Sequence, residues 1–153
     1  MKIAFGCDEA AYKLKTEIIN YLKDREDIEI TDFGANEGEA ILYPDIAYMV
    51  ADVIAEGQYD RGILFCGTGI GMAVCANKVP GVRAAVCHDP FSTERSRKSN
   101  DAQIMCLGER VIGTELAKYL IDIWLKCDFA GGGSVPKVER INELEYEHIK
   151  NIK

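Results

Sequence analysis

Short apolar runs, typical of buried strands, alternate along this chain with longer stretches whose apolar positions recur at helical spacing. The predicted strands cover residues 2–5, 28–33, 63–65, 82–86 and 102–107. The predicted helices cover residues 10–22, 43–56, 72–78, 90–99, 113–125 and 136–150. Regular alternation of strands and helices predicts an α/β fold, in which helices cover both faces of a central parallel sheet of about five strands.

One stretch, residues 62–72, combines a strand, a glycine-rich turn and a helix. Its apolar run ends at Cys66, and glycines follow at Gly67, Gly69 and Gly71. Glycine lets a backbone approach a ligand closely, and a helix start presents free N–H groups to an anion. The helix dipole also favours the thiolate form of a cysteine placed there. The stretch therefore predicts a nucleophile or base beside an anion site, and a tight turn around a buried structural cysteine is the alternative.

The predicted sheet also indicates where the other polar residues of a site would lie. In open parallel sheets, ligands bind beyond the carboxyl ends of the strands. We therefore expect Asp8, the turn 66–71, Asp89 and Asn100 to share that edge of the sheet.

Composition and charge exclude several classes of function. A chain of 153 residues fits one domain, residues 1–153, and its formal net charge of −7 argues against nucleic acid as the main partner. The six cysteines and two histidines fit no zinc spacing. We expect free thiols in a cytoplasmic protein with no signal peptide and no membrane-spanning segment.

Several reactive residue types have simpler explanations than chemistry. Cys7, Cys75, Cys106 and Cys127 lie in apolar contexts, which favours small core residues over redox centres. His88 follows a predicted strand, and for this residue a surface or hydrogen-bonded structural role is favoured over a place in the site.

Seven short motifs follow one another across nearly the whole chain, at residues 6–8, 43–45, 66–71, 76–78, 81–84, 97–101 and 108–113. In sequence and spacing they resemble the ribose-5-phosphate isomerase B family, which includes the galactose-6-phosphate isomerase subunits. The resemblance implies a Rossmann-like three-layer sandwich and an aldose–ketose isomerase that needs no metal and no cofactor. It also implies a homodimer or dimer of dimers with a site shared between subunits, and the charged C-terminal helix is suited to reach the partner.

The resemblance also implies roles for individual residues. Cys66 would remove the proton from the carbon beside the sugar carbonyl, and Thr68 would hydrogen-bond a substrate oxygen. The anion hole for the resulting enediolate would consist of the backbone amides of Gly67, Gly69, Ile70 and Gly71. Further substrate contacts are implied at Asp8, Glu9, Tyr43, Ser99, Asn100, Arg110 and Lys137.

The chain departs from the family pattern at several of these positions. Glu9 and Ser99 stand where the family usually has histidine, and the histidine matched by Ser99 is credited with opening the sugar ring. The family's phosphate-binding Arg-His pair and further arginine are replaced by residues 133–134 and Lys137, whereas Arg110 is kept. Lysine lacks the bidentate fork that suits a phosphate.

The predicted function is isomerisation of a sugar phosphate of the ribose 5-phosphate/ribulose 5-phosphate type. The departures leave other hypotheses open. The substrate could be a smaller, open-chain sugar phosphate, because a tetrose 4-phosphate has no free terminal hydroxyl with which to close a five-membered ring. It could also lack phosphate, or Arg95, Arg97 or Lys98 could replace the missing phosphate contacts. A non-catalytic sugar-binding protein is the alternative outside the enzymes.

Overall fold

The computed structural model describes residues 1–151, in which five parallel strands form one sheet of order β2-β1-β3-β5-β4. The strands are β1 (Lys2–Cys7), β2 (Glu29–Asp32), β3 (Arg61–Cys66), β4 (Ala84–Val86) and β5 (Ile104–Gly108). The helices are α1 (Tyr12–Leu22), α2 (Tyr43–Ala55), α3 (Ile70–Ala76), α4 (Pro90–Lys98), α5 (Thr114–Leu125) and α6 (Val135–Asn151). Short 3₁₀ turns at Glu9–Ala11 and Gly132–Ser134 precede α1 and α6.

The strand order explains where the helices lie. The chain moves outward from β1 to β2 and then back across the sheet to β3. Because crossovers between parallel strands are right-handed, this reversal places α1 and α2 on opposite faces. The reversal also leaves a crevice beyond the carboxyl ends of β1 and β3, where ligands bind in such sheets.

Two apolar layers hold the helices on the sheet. On one face, α1 and α5 pack on β1 and β3 through fully buried residues such as Phe5, Phe65 and Trp124, and α4 packs against α5. On the other face, α2 and α3 pack through residues such as Leu64 and Met72. The three-layer arrangement follows from strands that are apolar on both faces.

An ion pair between a buried lysine and a partly exposed aspartate secures the segment that leads to α2. The Lys15 amine lies 2.7 Å from the Asp32 carboxylate and 2.9 Å from the carbonyl oxygen of Ala35, and its side chain is 1% exposed. A lysine buried to this degree needs such partners, because an uncompensated charge in the interior is strongly destabilising.

The predicted α/β fold is confirmed as a Rossmann-like three-layer sandwich, with shifts at the ends of elements. Helix α3 begins at Ile70 rather than residue 72, because Gly69 adopts a φ of 76° and closes the turn early. Strand β4 covers only Ala84–Val86 of the predicted 82–86. The single domain predicted for residues 1–153 stays a prediction, and its last two residues lie outside the described range.

Helix α6 differs from the others in how little of it is buried. Val138 is its one buried residue within the described range, and the side chains of Ile141 and Leu144 remain 44% and 49% exposed. Its reach to a partner subunit stays a prediction. None of the described helices is both long and apolar enough to cross a membrane.

Candidate active site

The glycine turn, residues 66–71, joins the carboxyl end of β3 to the start of α3. Cys66 ends the strand and is 5% exposed, and its sulfur accepts a hydrogen bond of 3.0 Å from the amide of Gly69. The positive φ of Gly69 makes this return of the chain possible, and a Cβ there would lie 3.0 Å from the backbone of Leu107. The turn therefore holds the thiol against the start of a helix.

The other two glycines of the turn make room for large polar side chains. A Cβ on Gly71 would lie 2.7 Å from the Tyr43 ring, and one on Gly67 would lie 3.4 Å from the Arg110 guanidinium. Tyr43 begins α2 and Arg110 follows β5, so glycine allows residues from two other elements to approach the turn.

The backbone donors predicted for an anion hole are partly occupied. The amide of Gly69 donates to the Cys66 sulfur, and the amide of Ile70 donates to the hydroxyl of Thr68 at 3.3 Å. Ile70 and Gly71 are the first residues of α3, whose opening N–H groups have no partner within the helix. The amide of Gly67 lies on the same turn, directly after the cysteine.

A cavity of about 490 Å³ opens over the turn. Its lining residues are Asp8, Tyr43, Cys66, Gly67, Thr68, Ile70, Gly71, Val74 and Arg110. Most are predicted site residues, which the structure therefore brings together. Val74 was not predicted, because an apolar residue on the second turn of a helix gives no sequence signal for a site.

Asp8 lies at the carboxyl end of β1, next to the end of β3. Its amide donates to the carbonyl oxygen of Phe65 at 3.3 Å, and its carboxylate accepts from the amide of Ala10 at 3.1 Å. Burial raises the pKa of Asp8, and the charge of exposed Glu9 adds to the rise, while Arg110 opposes it. Asp8 and Arg110 thus influence each other across the cavity mouth.

The supporting turn, residues 108–110, lies directly behind the glycine turn. The amide of Glu109 donates to the carbonyl oxygen of Cys66 at 3.0 Å, and the amide of Arg110 donates to that of Gly67 at 3.1 Å. The carboxylate of Glu109 accepts from the amide of Leu14 at 3.1 Å, which ties the turn to α1. Sequence reasoning identified Arg110 but not this scaffold, although the motif 108–113 contains it.

Three predicted site residues, Ser99, Asn100 and Lys137, do not line the cavity. We call them the amino-edge group, because they lie towards the amino ends of the strands. Ser99 ends α4 and Asn100 follows it, where its carbonyl oxygen accepts from the Arg83 side chain just before β4 at 3.0 Å. Lys137 is exposed in the first turn of α6. The prediction that Asn100 shares one edge with Asp8 and the glycine turn within this chain is wrong, because α4 runs back from the carboxyl edge to the amino edge. Asp89 does lie at the carboxyl edge, where it caps α4 through the amide of Ser92 at 2.8 Å.

The basic residues of α4 are already engaged. Arg97 is buried and donates to Asp101 at 3.0 Å and to the carbonyl oxygen of Ala102 at 2.8 Å. Lys98 lies 3.2 Å from Glu94, which also pairs with Arg95. These contacts argue against the hypothesis that the three residues grip a phosphate.

None of the remaining cysteines lines the cavity. Burial raises the pKa of Cys7 to about 11 and that of Cys106 well above its usual value, as expected for thiols of the core. Within residues 1–151, no group of three or more histidine, cysteine, aspartate or glutamate side chains is arranged to hold a metal ion.

Comparison with known proteins extends these observations over almost the whole chain. Residues 3–141 match the family described as Ribose/Galactose Isomerase. The chain belongs to this family. It is 55% identical over 148 residues to "Ribose-5-P isomerase B" of Listeria innocua, with 97% of this chain and 99% of that protein covered.

Two further relatives differ in the sugar that they are named for. The chain is 52% identical to "D-erythrulose-4-phosphate isomerase" of Pectobacterium atrosepticum, covering 96% of this chain and 97% of that protein. The solved structure of Clostridium thermocellum ribose-5-phosphate isomerase B superposes with a TM-score of 0.93 at 47% identity, covering 97% of this chain and 99% of that one. The protein is accordingly a sugar-phosphate isomerase of the aldose–ketose type.

Proposed function

We propose that this isomerase interconverts an aldose phosphate and a ketose phosphate by proton transfer through Cys66. The observation that carries the proposal is the Cys66 sulfur, held 3.0 Å from the Gly69 amide beneath an open cavity. The thiolate takes the proton from C2 of the aldose, and the electron pair of that C–H bond forms the C1–C2 double bond of an enediolate. Return of the proton to C1, with transfer of the hydroxyl proton from O2 to O1, gives the ketose.

The enediolate carries a negative charge that the glycine turn is suited to stabilise. The amide of Gly67 directly follows the thiol, and the amides of Ile70 and Gly71 open α3. The Ile70 amide becomes available when it releases the Thr68 hydroxyl, and the Gly69 amide when the thiolate has taken up its proton and needs its donor less. Preorganised backbone donors of this kind contribute on the order of a few kcal/mol each at a developing oxyanion. The Thr68 hydroxyl holds a substrate oxygen.

The remaining cavity residues position the sugar. Asp8 and the Tyr43 hydroxyl bind its hydroxyl groups, and Arg110 binds its phosphate with the bidentate geometry of a guanidinium. Arg110 lines the same cavity as Cys66, with its guanidinium beside Gly67.

We further propose that a second copy of the chain completes the site with its Ser99, Asn100 and Lys137. Two observations support a homodimer, which can assemble further as a dimer of dimers. The amino-edge group lies away from Cys66 in its own subunit. The cavity lining exposes the apolar side chains of Ile70 and Val74 to 58% and 55%, and Leu42, the chain neighbour of Tyr43, is 73% exposed. Apolar surface of this kind marks an interaction site.

The serine at position 99 favours one of two substrates that fit the proposal. A pentose 5-phosphate closes into a ring and needs an acid or base to open it, whereas a tetrose 4-phosphate stays open. Serine without an adjacent base is a poor proton shuttle. We therefore favour a tetrose 4-phosphate, the size of sugar for which the Pectobacterium relative is named, over ribose 5-phosphate, for which the Listeria relative is named.

Proton NMR in D₂O tests both parts of the proposal. Free and phosphorylated tetroses, pentoses and hexoses are incubated with the wild type, with Cys66→Ala and with Cys75→Ala, a matched control near the C-terminal end of α3 and outside the cavity lining. We expect deuterium incorporation and conversion of a sugar phosphate by the wild type and Cys75→Ala, and none by Cys66→Ala. Undiminished conversion by Cys66→Ala would remove the proposed base, and faster conversion of pentoses than tetroses would remove the preference for tetroses.

A further inference from the structure

His88 contacts the scaffold of the site without touching its cavity. It follows β4, and its Nε2 lies 3.0 Å from the backbone nitrogen of Gly108, at the end of β5. A backbone N–H can only donate, so Nε2 must accept through its lone pair, which requires a neutral imidazole with its proton on Nδ1. Burial lowers the pKa of His88, against a smaller opposing effect of Asp89, and so favours this neutral form.

Gly108 is the point at which the supporting turn meets the glycine turn. A Cβ on Gly108 would lie 2.6 Å from the Cα of Thr68, so the two backbones are in direct contact. The next two amides, of Glu109 and Arg110, hydrogen-bond the carbonyl oxygens of Cys66 and Gly67. A displacement of Gly108 would therefore reach Thr68, the proposed base and the guanidinium together.

At Gly108, the His88 imidazole accepts the hydrogen bond that a backbone carbonyl of a neighbouring strand would otherwise accept. The last backbone hydrogen bond between β4 and β5 runs from the Cys87 amide to the carbonyl oxygen of Cys106 at 3.1 Å. After Cys87 the chain leaves the sheet towards α4. Asp89 is committed to capping that helix. His88 thus supplies the acceptor for Gly108 where β4 has ended.

We propose that His88 is a positioning residue, whose neutral imidazole anchors the supporting turn on the β4 side as Glu109 anchors it on the α1 side. The inference rests on the proposed function, because it assumes that Cys66 and Arg110 act on the substrate. His88 itself makes no contact with substrate and exchanges no proton with it.

Two substitutions separate positioning from general structural support. His88→Ala leaves the Gly108 amide without its acceptor, whereas the side-chain carbonyl of His88→Gln can replace it. With the sugar phosphate that the wild type converts, we expect kcat/KM to fall about tenfold or more in His88→Ala, through both a lower kcat and a higher KM, because small displacements of catalytic groups are costly. We expect His88→Gln to recover most of this loss, and His148→Ala, an exposed control on α6, to match the wild type.

Two further measurements are independent of turnover. Nitrogen-15 NMR of the imidazole is expected to show the Nδ1–H tautomer in the wild type, and hydrogen exchange of the Gly108 amide is expected to accelerate in His88→Ala but not in His88→Gln. Thermal unfolding of each variant checks that the comparison is between folded proteins.

The outcomes distinguish failure of the positioning role of His88 from failure of the proposed isomerase function. If the wild type converts no sugar phosphate, the proposed function fails and the positioning role fails with it. If the wild type is active and folded His88→Ala matches it in kcat/KM, only the positioning role is overturned. The same conclusion follows if His88→Gln is as impaired as His88→Ala, or if the imidazole carries its proton on Nε2.

Discussion

At the carboxyl edge of the sheet, Cys66 lies on the glycine turn, which is hydrogen-bonded to the supporting turn. At the amino edge, Ser99, Asn100 and Lys137 lie at the ends of helices. The first region has its geometry fixed within one subunit by backbone contacts from β5. The second has side chains that are exposed or half-buried. Proton transfer needs preorganised donors, which backbone provides at little entropic cost. Contacts that a partner subunit completes can remain open until it binds.

The largest combined effect on stability and activity is expected where the first region is most tightly packed. In Gly108→Ala the new Cβ would meet the Thr68 backbone at 2.6 Å, and backbone cannot rotate away as a side chain can. Overpacking of this kind costs about 1–3 kcal/mol of unfolding free energy, and the displaced turn is expected to lower kcat/KM by about 100-fold or more. Thermal unfolding and steady-state kinetics measure the two effects.

The matched control is Gly133→Ala, beside the amino-edge group. Nothing lies within 4 Å of a Cβ at Gly133, so we expect its thermal midpoint to equal that of the wild type. Equal midpoints for Gly108→Ala and the wild type would show that the first region is less rigid than its contacts indicate.

Mixing inactive variants tests whether the two regions of different subunits form one site. We expect Cys66→Ala and Asn100→Ala each to be nearly inactive, and their mixture, unfolded and refolded together, to recover about a quarter of wild-type activity. A two-fold dimer has two sites, and a mixed dimer would carry both substitutions in one site and neither in the other.

The control for this mixture pairs two substitutions from the same region. Cys66→Ala mixed with Arg110→Ala leaves one defect in each site of a mixed dimer, so no activity is expected to return. Recovery in this second mixture, or none in the first, would mean that the site is not divided between subunits as proposed.

A smaller effect is expected from restoring a ring-opening group in the second region. In Ser99→His, we expect kcat/KM for ribose 5-phosphate to rise about tenfold, less than the roughly 100-fold or more of a fully positioned general acid or base, because the surrounding residues do not orient the new imidazole. The value for a tetrose 4-phosphate is expected to stay the same and serves as the internal reference. An equal change for both sugars would argue that position 99 affects binding rather than ring opening.

The same two regions show how far the sequence alone could lead. The glycine turn was predictable because Cys66 and its glycines are contiguous and each has a local conformational reason. Asp8 was placed beside it by the rule that ligands bind at the carboxyl edge, whereas Tyr43 and Arg110 joined it through motif resemblance. The meeting of these residues depends on the order of β1, β3 and β5. The placement of Asn100 was wrong for a reason that the sequence already contained. A helix that joins two parallel strands ends at the amino edge of the sheet, and Asn100 follows such a helix. The hydrogen bond between His88 and Gly108 could not be predicted from the sequence, because it depends on the register of β4 on β5.

The smallest expected effect concerns His88 and the pH dependence of stability. The folded protein lowers the pKa of His88 from its usual 6.5, so the unfolded chain binds a proton first as the pH falls. The unfolding free energy contributed by this group is therefore lost as the pH falls through about 6.5, and the loss ends below the folded pKa. In His88→Gln, which cannot titrate, we expect a smaller drop in the urea midpoint between about pH 7.5 and pH 5.5. Asp89 and the other carboxylates titrate in both proteins, so their effect cancels in the difference. Equal drops would mean that the imidazole is not held neutral, and Gly108 would then depend on Glu109 alone for its anchor.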